Sequence, residues 1–408
     1  MRIVLAVLIT LTSLSVTRAT CDPGSQAKDL AQYELAEQAM HAGCLADSER
    51  VLLLLLDADR NDDRARFQLG IVQFLRAVES LGKAMYEYGA ISENATQPFL
   101  RLPVPRNPEP STISYRALGR VLDLFACELA RAEATLAEVT DDDVFVPLRL
   151  APIRFDFGGE KTQRMSLLQI SMQLNGEKLF FTEKNPDFLV HFDRGDVAWL
   201  RAYCHLLMGM VEAYRAIDEE IGFGHRVGDV FPKIESAQGT QKKGWYRGLS
   251  IIDAPRLRRT RLHFIAVCEL NSETWLHIRR ESDDHYEWLP HSKQTDQLGV
   301  PISDRQIDAW LRMMDQLEGL LKGERLVPAS LLRFVSNKHP EGWGLNLAKV
   351  LDDPPTDLFN IDRLQEKGIS SLYLKAEENQ KLFDFTVMED VASLFNGPVG
   401  FFSVIRMN

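Results

Sequence analysis

The densest set of chemically active side chains in this sequence lies in the segment ESDDHYEWLPH at positions 281–291. Carboxylates and imidazoles are ligand types that suit zinc or a non-haem metal. The spacing is unfavourable for a metal site, because no His-Glu-x-x-His pair occurs and Pro290 would end a helix before the last histidine. A polar helix end is therefore the preferred interpretation, and a metal-dependent hydrolase centred on residues 283–291 is the alternative. The candidate metal ligands are Asp283, Asp284, His285, Glu287 and His291.

No segment of the chain carries a catalytic motif of high specificity. The 408-residue chain lacks the Gly-x-Ser-x-Gly elbow of hydrolases and the Walker loop that binds nucleotide phosphates. Its formal net charge of -11 disfavours binding to the phosphate backbone of nucleic acids. We therefore expect no cofactor and no nucleic-acid partner, and catalysis only under the metal alternative.

The first 19 residues have the pattern of a cleaved signal peptide. Arg2 precedes an apolar-biased run of 12 residues from Ile3 to Leu14, and Thr17 and Ala19 provide a small-x-small cleavage site. No later segment reaches the roughly 20 apolar residues that a membrane-spanning helix needs. The sequence thus predicts a secreted or periplasmic protein with no transmembrane segment in the mature chain.

Five cysteines are an odd number for an exported chain, so at least one is expected to be unpaired. Cys21 and Cys44 lie near the predicted mature N-terminus and are the candidates for a disulfide, with lipid attachment at Cys21 as the alternative. Cys127, Cys204 and Cys268 lie in apolar helical patterns, where a free cysteine is typical of a core position.

A period of 34 residues relates the Leu-Ala pair at 35–36 to the Leu-Gly pair at 69–70. Each unit predicts two amphipathic helices, with a turn at Gly43 in the first unit and a helix cap at residues 61–63 between the units. Residues 28–88 therefore resemble the tetratricopeptide repeat (TPR). A plain pair of helical hairpins is the alternative, since only two units occur where a solenoid generally needs three. In the second unit the resemblance rests on Phe67, Leu69, Gly70 and Phe74.

The TPR resemblance implies that the protein binds a protein or peptide partner on the concave face of the helical pairs. An open groove on this face would fit partner binding, whereas a groove filled by the proline-rich segment that follows would leave a structural role. A structural envelope protein is thus a further alternative. The partner-binding candidates, expected to be exposed on the first helix of each pair, are Tyr33, Glu37, Gln73 and Arg76.

A proline-rich break separates the TPR-like region, residues 20–88, from the rest of the chain. Five prolines occur between positions 98 and 110, which predicts an extended linker or surface-hugging segment over residues 89–112. Residues 113–328 carry apolar helical patterns, and residues 329–408 carry proline pairs and short β-prone runs. The predicted fold is mainly α: a helical-hairpin region packed on a larger helical domain, with a small α+β or irregular C-terminal part.

Within the larger domain, end signals predict three helices. One starts near Asp196, which is expected to cap it, and one follows Asp253. A third runs between Ser303 and Gly323, with a capping box at its start and glycine as its stop. Residues 144–159 alternate apolar and polar side chains, which favours a short hairpin or an extended arm.

Three stretches are similar to segments of a group of exported bacterial proteins of unassigned function. They are FDRGDVAWLRAYCHLLM, DDHYEWLPHSKQ and GLLKGERLVP. This similarity implies a bacterial envelope setting and supplies no catalytic residues.

Overall fold

The computed structural model describes residues 23–159, 163–175, 185–217, 223–235, 251–285, 287–294, 302–332, 343–355 and 381–394. The predicted signal peptide and Cys21 lie outside the described residues. Signal cleavage and a Cys21–Cys44 disulfide therefore stay predictions.

The described chain is mainly α with a small β portion, which confirms the predicted fold class. Its helices are α1 (Pro23–His41), α2 (Leu45–Ala58), α3 (Asp63–Glu87), α4 (Tyr115–Ala137), α5 (Leu167–Asn175), α6 (Arg194–Ala216), α7 (Phe223–Val227), α8 (Ala254–Ile278), α9 (Asp304–Lys322), α10 (Leu347–Asp352) and α11 (Thr386–Leu394). Its strands are β1 (Val146–Arg149), β2 (Arg154–Phe155), β3 (Met165–Ser166), β4 (Leu189–Phe192), β5 (Arg325–Pro328), β6 (Gly344–Leu345) and β7 (Lys381–Leu382). Among the described residues, no helix has both the length and the apolar character needed to cross a membrane.

Helices α1 and α2 form the first predicted hairpin. Gly43 lies in the turn between them with a φ of +71°, a left-handed conformation that glycine adopts without strain. The predicted cap after the hairpin is also confirmed, because the Asp62 carboxylate accepts a hydrogen bond of 2.9 Å from the Ala65 N–H at the start of α3.

The predicted internal arrangement of the second unit is wrong. Residues 65–87 do not form two helices; they belong to the single 25-residue helix α3. Gly70 lies inside this helix and faces α4, where an added Cβ would stand 2.5 Å from Leu136 Cγ. The pattern misled because a small residue can mark a helix end or a close crossing of two helices, and here it marks the crossing. The second helix pair is therefore α3 with α4.

The proline-rich segment between α3 and α4 lies against the core and is not a free linker. Phe99, Leu100 and Leu102 are buried, and the Phe99 ring packs edge-on against Tyr214 of α6 at a centroid distance of 5.8 Å. The segment is not wholly extended, since Pro98 opens a short 3-10 turn, a position where a missing N–H costs nothing. Its backbone follows the protein surface while its apolar side chains join the main core.

The three predicted helices of the larger domain are confirmed as α6, α8 and α9, with one correction at the start of α6. The cap is Asp193, whose carboxylate accepts hydrogen bonds from the Gly195 and Asp196 N–H groups. Asp196 supplies the other half of a capping box and is almost fully buried. Aspartate is a favourable N-cap residue and occurs at both positions 193 and 196. The sequence pattern alone therefore did not identify which of the two caps the helix.

Two of the three helical cysteines occupy the core positions predicted for them. Cys204 of α6 and Cys268 of α8 are buried, but Cys127 of α4 is exposed. The apolar stripe of α4 runs through Leu122 and Phe125, which are buried, and Cys127 lies off this stripe.

Of the two arrangements predicted for residues 144–159, a hairpin or an extended arm, the hairpin is wrong, because the two strands there pair with different partners. Strand β1 pairs with β4 in an antiparallel ribbon, and β2 pairs with β3. Side chains alternate across the β1–β4 ribbon. One face, with Val146, Leu148, Val190 and Phe192, is buried in the core. The opposite face is left to line a groove.

The C-terminal part forms a small sheet and a second apolar cluster. Strand β5 lies between β6, to which it is antiparallel, and β7, to which it is parallel. Residues Phe383, Val387 and Val391 pack on Met313 and Met314 of α9. This agrees with the small α+β portion predicted after residue 328.

Candidate functional site

A groove lies between the N-terminal helices and the free face of the β1–β4 ribbon. We call it the aromatic groove; its volume is about 260 Å³. Helices α1 and α3 form one wall and the ribbon forms the other, so the groove exists because the chain brings residues 30–68 against residues 145–191. Its lining residues are Leu30, Tyr33, Glu34, Glu37, Arg64, Gln68, Phe145, Pro147, Arg149, Leu189 and His191.

Arg64 is held between two aromatic rings of the aromatic groove. Its guanidinium carbon lies 4.2 Å from the centre of the Tyr33 ring and 5.6 Å from the centre of the Phe145 ring. Both distances are within the range of cation–π attraction. Burial lowers the pKa of Arg64, an effect that the nearby Tyr33 and Asp62 oppose.

The backbone edge of β1 that faces α1 is already occupied. The Arg149 N–H donates a hydrogen bond of 2.7 Å to Glu37 Oε1, and the Arg149 carbonyl lies 2.9 Å from His41 Nε2. Pro147 on the same edge has no N–H to offer. A ligand in the aromatic groove would therefore be recognised by side chains and not by addition of a strand to β1.

A second cavity adjoins the groove. We call it the acidic cavity; its volume is about 590 Å³. It lies at the N-terminus of α6 and the C-terminus of α8, and Phe145 and His191 line both it and the aromatic groove. Three of its residues, Asp193, Glu281 and Glu287, have carboxylate oxygens that all lie within 4.8 Å of one another. Like charges at this separation cannot all be ionised without compensation.

Hydrogen bonds fix these three carboxyl groups in place. Asp193 caps α6, Glu281 Oε2 accepts a bond of 3.0 Å from the Gln294 side-chain amide, and Glu287 Oε1 accepts one of 3.0 Å from the His285 N–H. The Glu281 carboxyl group also interacts directly with the Asp193 side chain. His285 Nδ1 in turn lies 2.9 Å from Asp283 Oδ2.

The surroundings favour the neutral forms of these groups. Burial, reinforced by the Asp193 charge, raises the pKa of Glu281 to about 10 and that of Glu287 to about 8. Burial also raises the pKa of Asp193. Burial and the nearby His285 lower the pKa of His191 to about 4. At neutral pH the cluster therefore holds bound protons, and a cation placed among the oxygens would displace them.

The structure brings together part of the predicted metal set. Asp283, His285 and Glu287 line the acidic cavity, whereas Asp284 is exposed and does not line it. His291 is buried away from the cavity lining, with its Nδ1 accepting a hydrogen bond from the Lys293 N–H.

Two residues of the carboxylate cluster were missed. Asp193 precedes Glu281 by 88 positions, so no local spacing joins them. The available signal was the position of each at a helix end: Asp193 starts α6, and Glu281 follows the end of α8.

The predicted partner-binding residues are divided between the groove and the core. Tyr33 and Glu37 line the aromatic groove, but the expectation that Tyr33 is exposed is wrong, since it is 9% exposed. The expectation that Gln73 is exposed is wrong, since it is 5% exposed and its amide donates to Glu49 Oε1. Arg76 forms an ion pair with the same carboxylate. Buried Glu49 needs these partners, so Gln73 faces inward between helices, while the Arg76 side chain stays 38% exposed and lies outside the groove.

Comparison of the chain with family models, with curated proteins and with solved structures found no match.

Proposed function

We propose that this protein binds a peptide or peptide-like ligand in the aromatic groove, as an envelope or secreted binding protein. The observation that carries the proposal is the open groove on the N-terminal helical hairpins, lined by Tyr33 and Glu37. The proline-rich segment, residues 89–112, contributes nothing to its lining. Such an opening is what a partner-binding role of the helical pairs requires.

The lining of the groove supports a peptide as the ligand. Apolar and aromatic surface from Leu30, Phe145 and Leu189 is combined with a few charged groups, a composition typical of sites that bind small organic ligands. The volume of about 260 Å³ suits a few side chains. Because the β1 edge is occupied, specificity would come from contacts with side chains.

The test is retention of a synthetic pool of random pentapeptides on the immobilised mature protein, read by mass spectrometry. Leu30 lines the groove and is 52% exposed, so Leu30→Asp removes apolar lining without disturbing the core. Leu54→Asp is the matched control, because Leu54 is 62% exposed on α2 and lies outside the groove. We expect retention by the wild type and by Leu54→Asp, and a several-fold loss with Leu30→Asp. Equal retention by both variants would reject the groove as the binding site.

The second candidate function is a metal-dependent hydrolase in the acidic cavity. It is favoured by one observation, the three clustered carboxylates of Asp193, Glu281 and Glu287. An all-oxygen donor set suits magnesium, manganese or calcium better than zinc. A divalent cation held there would act as a Lewis acid for hydrolysis.

Elemental analysis of the purified mature protein, before and after chelation, tests this candidate together with titration by Mn²⁺. We expect one bound cation in the wild type and weaker Mn²⁺ binding in Glu287→Gln. Asp284→Asn is the control, since Asp284 is exposed in the same segment and does not line the cavity. Protein that contains no metal and binds no Mn²⁺ would remove the hydrolase candidate and leave peptide binding untouched.

A further inference from the structure

We infer that Arg64 is the anchor for a carboxylate of the ligand in the aromatic groove. The inference rests on the proposed function and adds a chemical class to it: the bound peptide carries a free carboxylate, at its C-terminus or on a side chain. The carboxylate lies against the guanidinium that Tyr33 and Phe145 enclose.

The first argument is the bonding state of Arg64. Its side chain makes no hydrogen bond and no ion pair with any described residue, and its Nε is buried without a partner. Leaving that one N–H donor unsatisfied away from water is costly, and the remaining donors of the half-buried guanidinium are open to a ligand. The other cation that lines the groove, Arg149, differs in this respect because it pairs with Glu37 at 3.2 Å.

The second argument is that the neighbouring acids are engaged elsewhere. Asp62 accepts hydrogen bonds from the Tyr33 hydroxyl and from the Ala65 N–H. Glu37 accepts from the backbone and side chain of Arg149. Both acids act on Arg64 through space and neither bonds to it. The donor fork of Arg64 is thus left for a group from outside.

The third argument concerns the shape and charge of that group. The Arg64 guanidinium carbon lies over the Tyr33 ring at 4.2 Å, and a carboxylate can bind a guanidinium fork through two parallel hydrogen bonds. The groove also contains Glu34 and Glu37, which would repel a doubly charged phosphate more strongly than a singly charged carboxylate. Arginine at this position is therefore matched to a planar monoanion.

The test uses four pools of random pentapeptides on the immobilised mature protein. The pools combine a free or an amidated C-terminus with the presence or absence of Asp and Glu, so the two sources of carboxylate are separated. We expect the wild type to retain pools with a carboxylate roughly 10- to 100-fold better than the pool with none, the value of a hydrogen bond to a charged group. Arg64→Gln should lose this preference, and Arg64→Lys should keep only part of it.

Arg50→Gln is the matched control, because Arg50 has a 70% exposed side chain and pairs with Asp47 outside the groove. A measurement without any variant supports the assay: excess propionate, but not propionamide, should displace peptides from the wild type. Equal retention of all four pools, or an unchanged preference in Arg64→Gln, would overturn the inference. If Leu30→Asp still abolishes retention in that case, groove binding stands and only the role of Arg64 falls.

Discussion

Gly70 of α3 faces Leu136 of α4 so closely that a Cβ at position 70 would stand 2.5 Å from Leu136 Cγ. Leu136 is fully buried. The crossing of these helices joins the N-terminal hairpin to the larger domain and sets the position of α3, which carries Arg64. Because Gly70 has no Cβ, α3 and α4 can approach closely, and this approach positions α3 in the wall of the aromatic groove.

Gly70→Ala is therefore expected to destabilise the protein by about 1–3 kcal/mol through overpacking, despite the better helix propensity of alanine. Urea unfolding followed by circular dichroism measures the change. Gly224→Ala is the control, since Gly224 lies in α7 with no atom within 4 Å of an added Cβ. A stable Gly70→Ala protein would mean that the two helices can move apart at no cost.

Glu49 gives a second prediction, because this buried carboxylate holds α2, α3 and α4 together. It is 3% exposed and interacts with Gln73, Arg76 and Arg131. Both arginines are partly exposed, so Glu49→Gln should cost only about 1–2 kcal/mol of stability. Glu138→Gln, at a side chain that is 73% exposed, should change stability by less than about 0.5 kcal/mol. Peptide retention by Glu49→Gln should equal that of the wild type, since Glu49 does not line the groove. A loss of retention would indicate that its partners Gln73 and Arg76 belong to the binding site.

Asp63 makes stability depend on pH in the acid range. Burial alone would raise its pKa, but hydrogen bonds from the Thr140 and Asp141 N–H groups, at 2.6 and 2.8 Å, and from Arg66 outweigh burial and lower it. A carboxylate whose pKa is lower in the folded state adds stability above its unfolded pKa, and that stability is lost as the pH falls through the folded value.

Asp63→Asn should therefore destabilise the protein by about 1–3 kcal/mol at pH 7, and the difference from wild type should shrink as the pH falls below about 4. Urea unfolding at several pH values measures this trend. Asp47→Asn, at a side chain that is 54% exposed, is the control. If the difference in unfolding free energy between Asp63→Asn and wild type stays constant with pH, the charge of Asp63 is not what stabilises its contacts with Thr140 and Asp141.

Cysteine labelling gives a fourth prediction. Cys127 is exposed, whereas Cys204 and Cys268 are buried, and burial raises the pKa of both buried thiols, that of Cys268 to about 12. Iodoacetamide at pH 8 should modify Cys127 in the folded protein, and the two buried thiols only after denaturant is added. Peptide mass mapping identifies the sites. Labelling of Cys268 in native protein at the rate of Cys127 would contradict the packing of α8 on α9.

The sequence was most informative where one residue acts on its immediate neighbours. The cap at Asp62, the turn at Gly43 and the capping box at Ser303 depend on contacts within a few positions, and each was predicted correctly. The fold class was predictable from the apolar stripes, because each stripe extends along a whole helix and indicates its presence.

Long-range pairing was not predictable in the same way. The partner of β1 lies some 40 positions downstream in β4, so the local alternation suggested a hairpin that does not form. The candidate site also depends on long-range contacts. The groove requires the β1–β4 ribbon, and the carboxylate cluster requires Asp193 to lie beside Glu281. Segment 283–291 supplied only Glu287 to the cluster.

The ring of His191 and the ring of Phe145 form a wall common to the aromatic groove and the acidic cavity. A ligand bound in either compartment would lie against the same two side chains, so we expect the two compartments to be thermodynamically linked. If a peptide in the groove changes the affinity of the cavity for protons or for a cation, the occupant of the cavity must change the affinity for the peptide by the same factor. Measured affinities for either ligand are then properties of a stated pH and cation concentration, and the two titrations belong in one experiment.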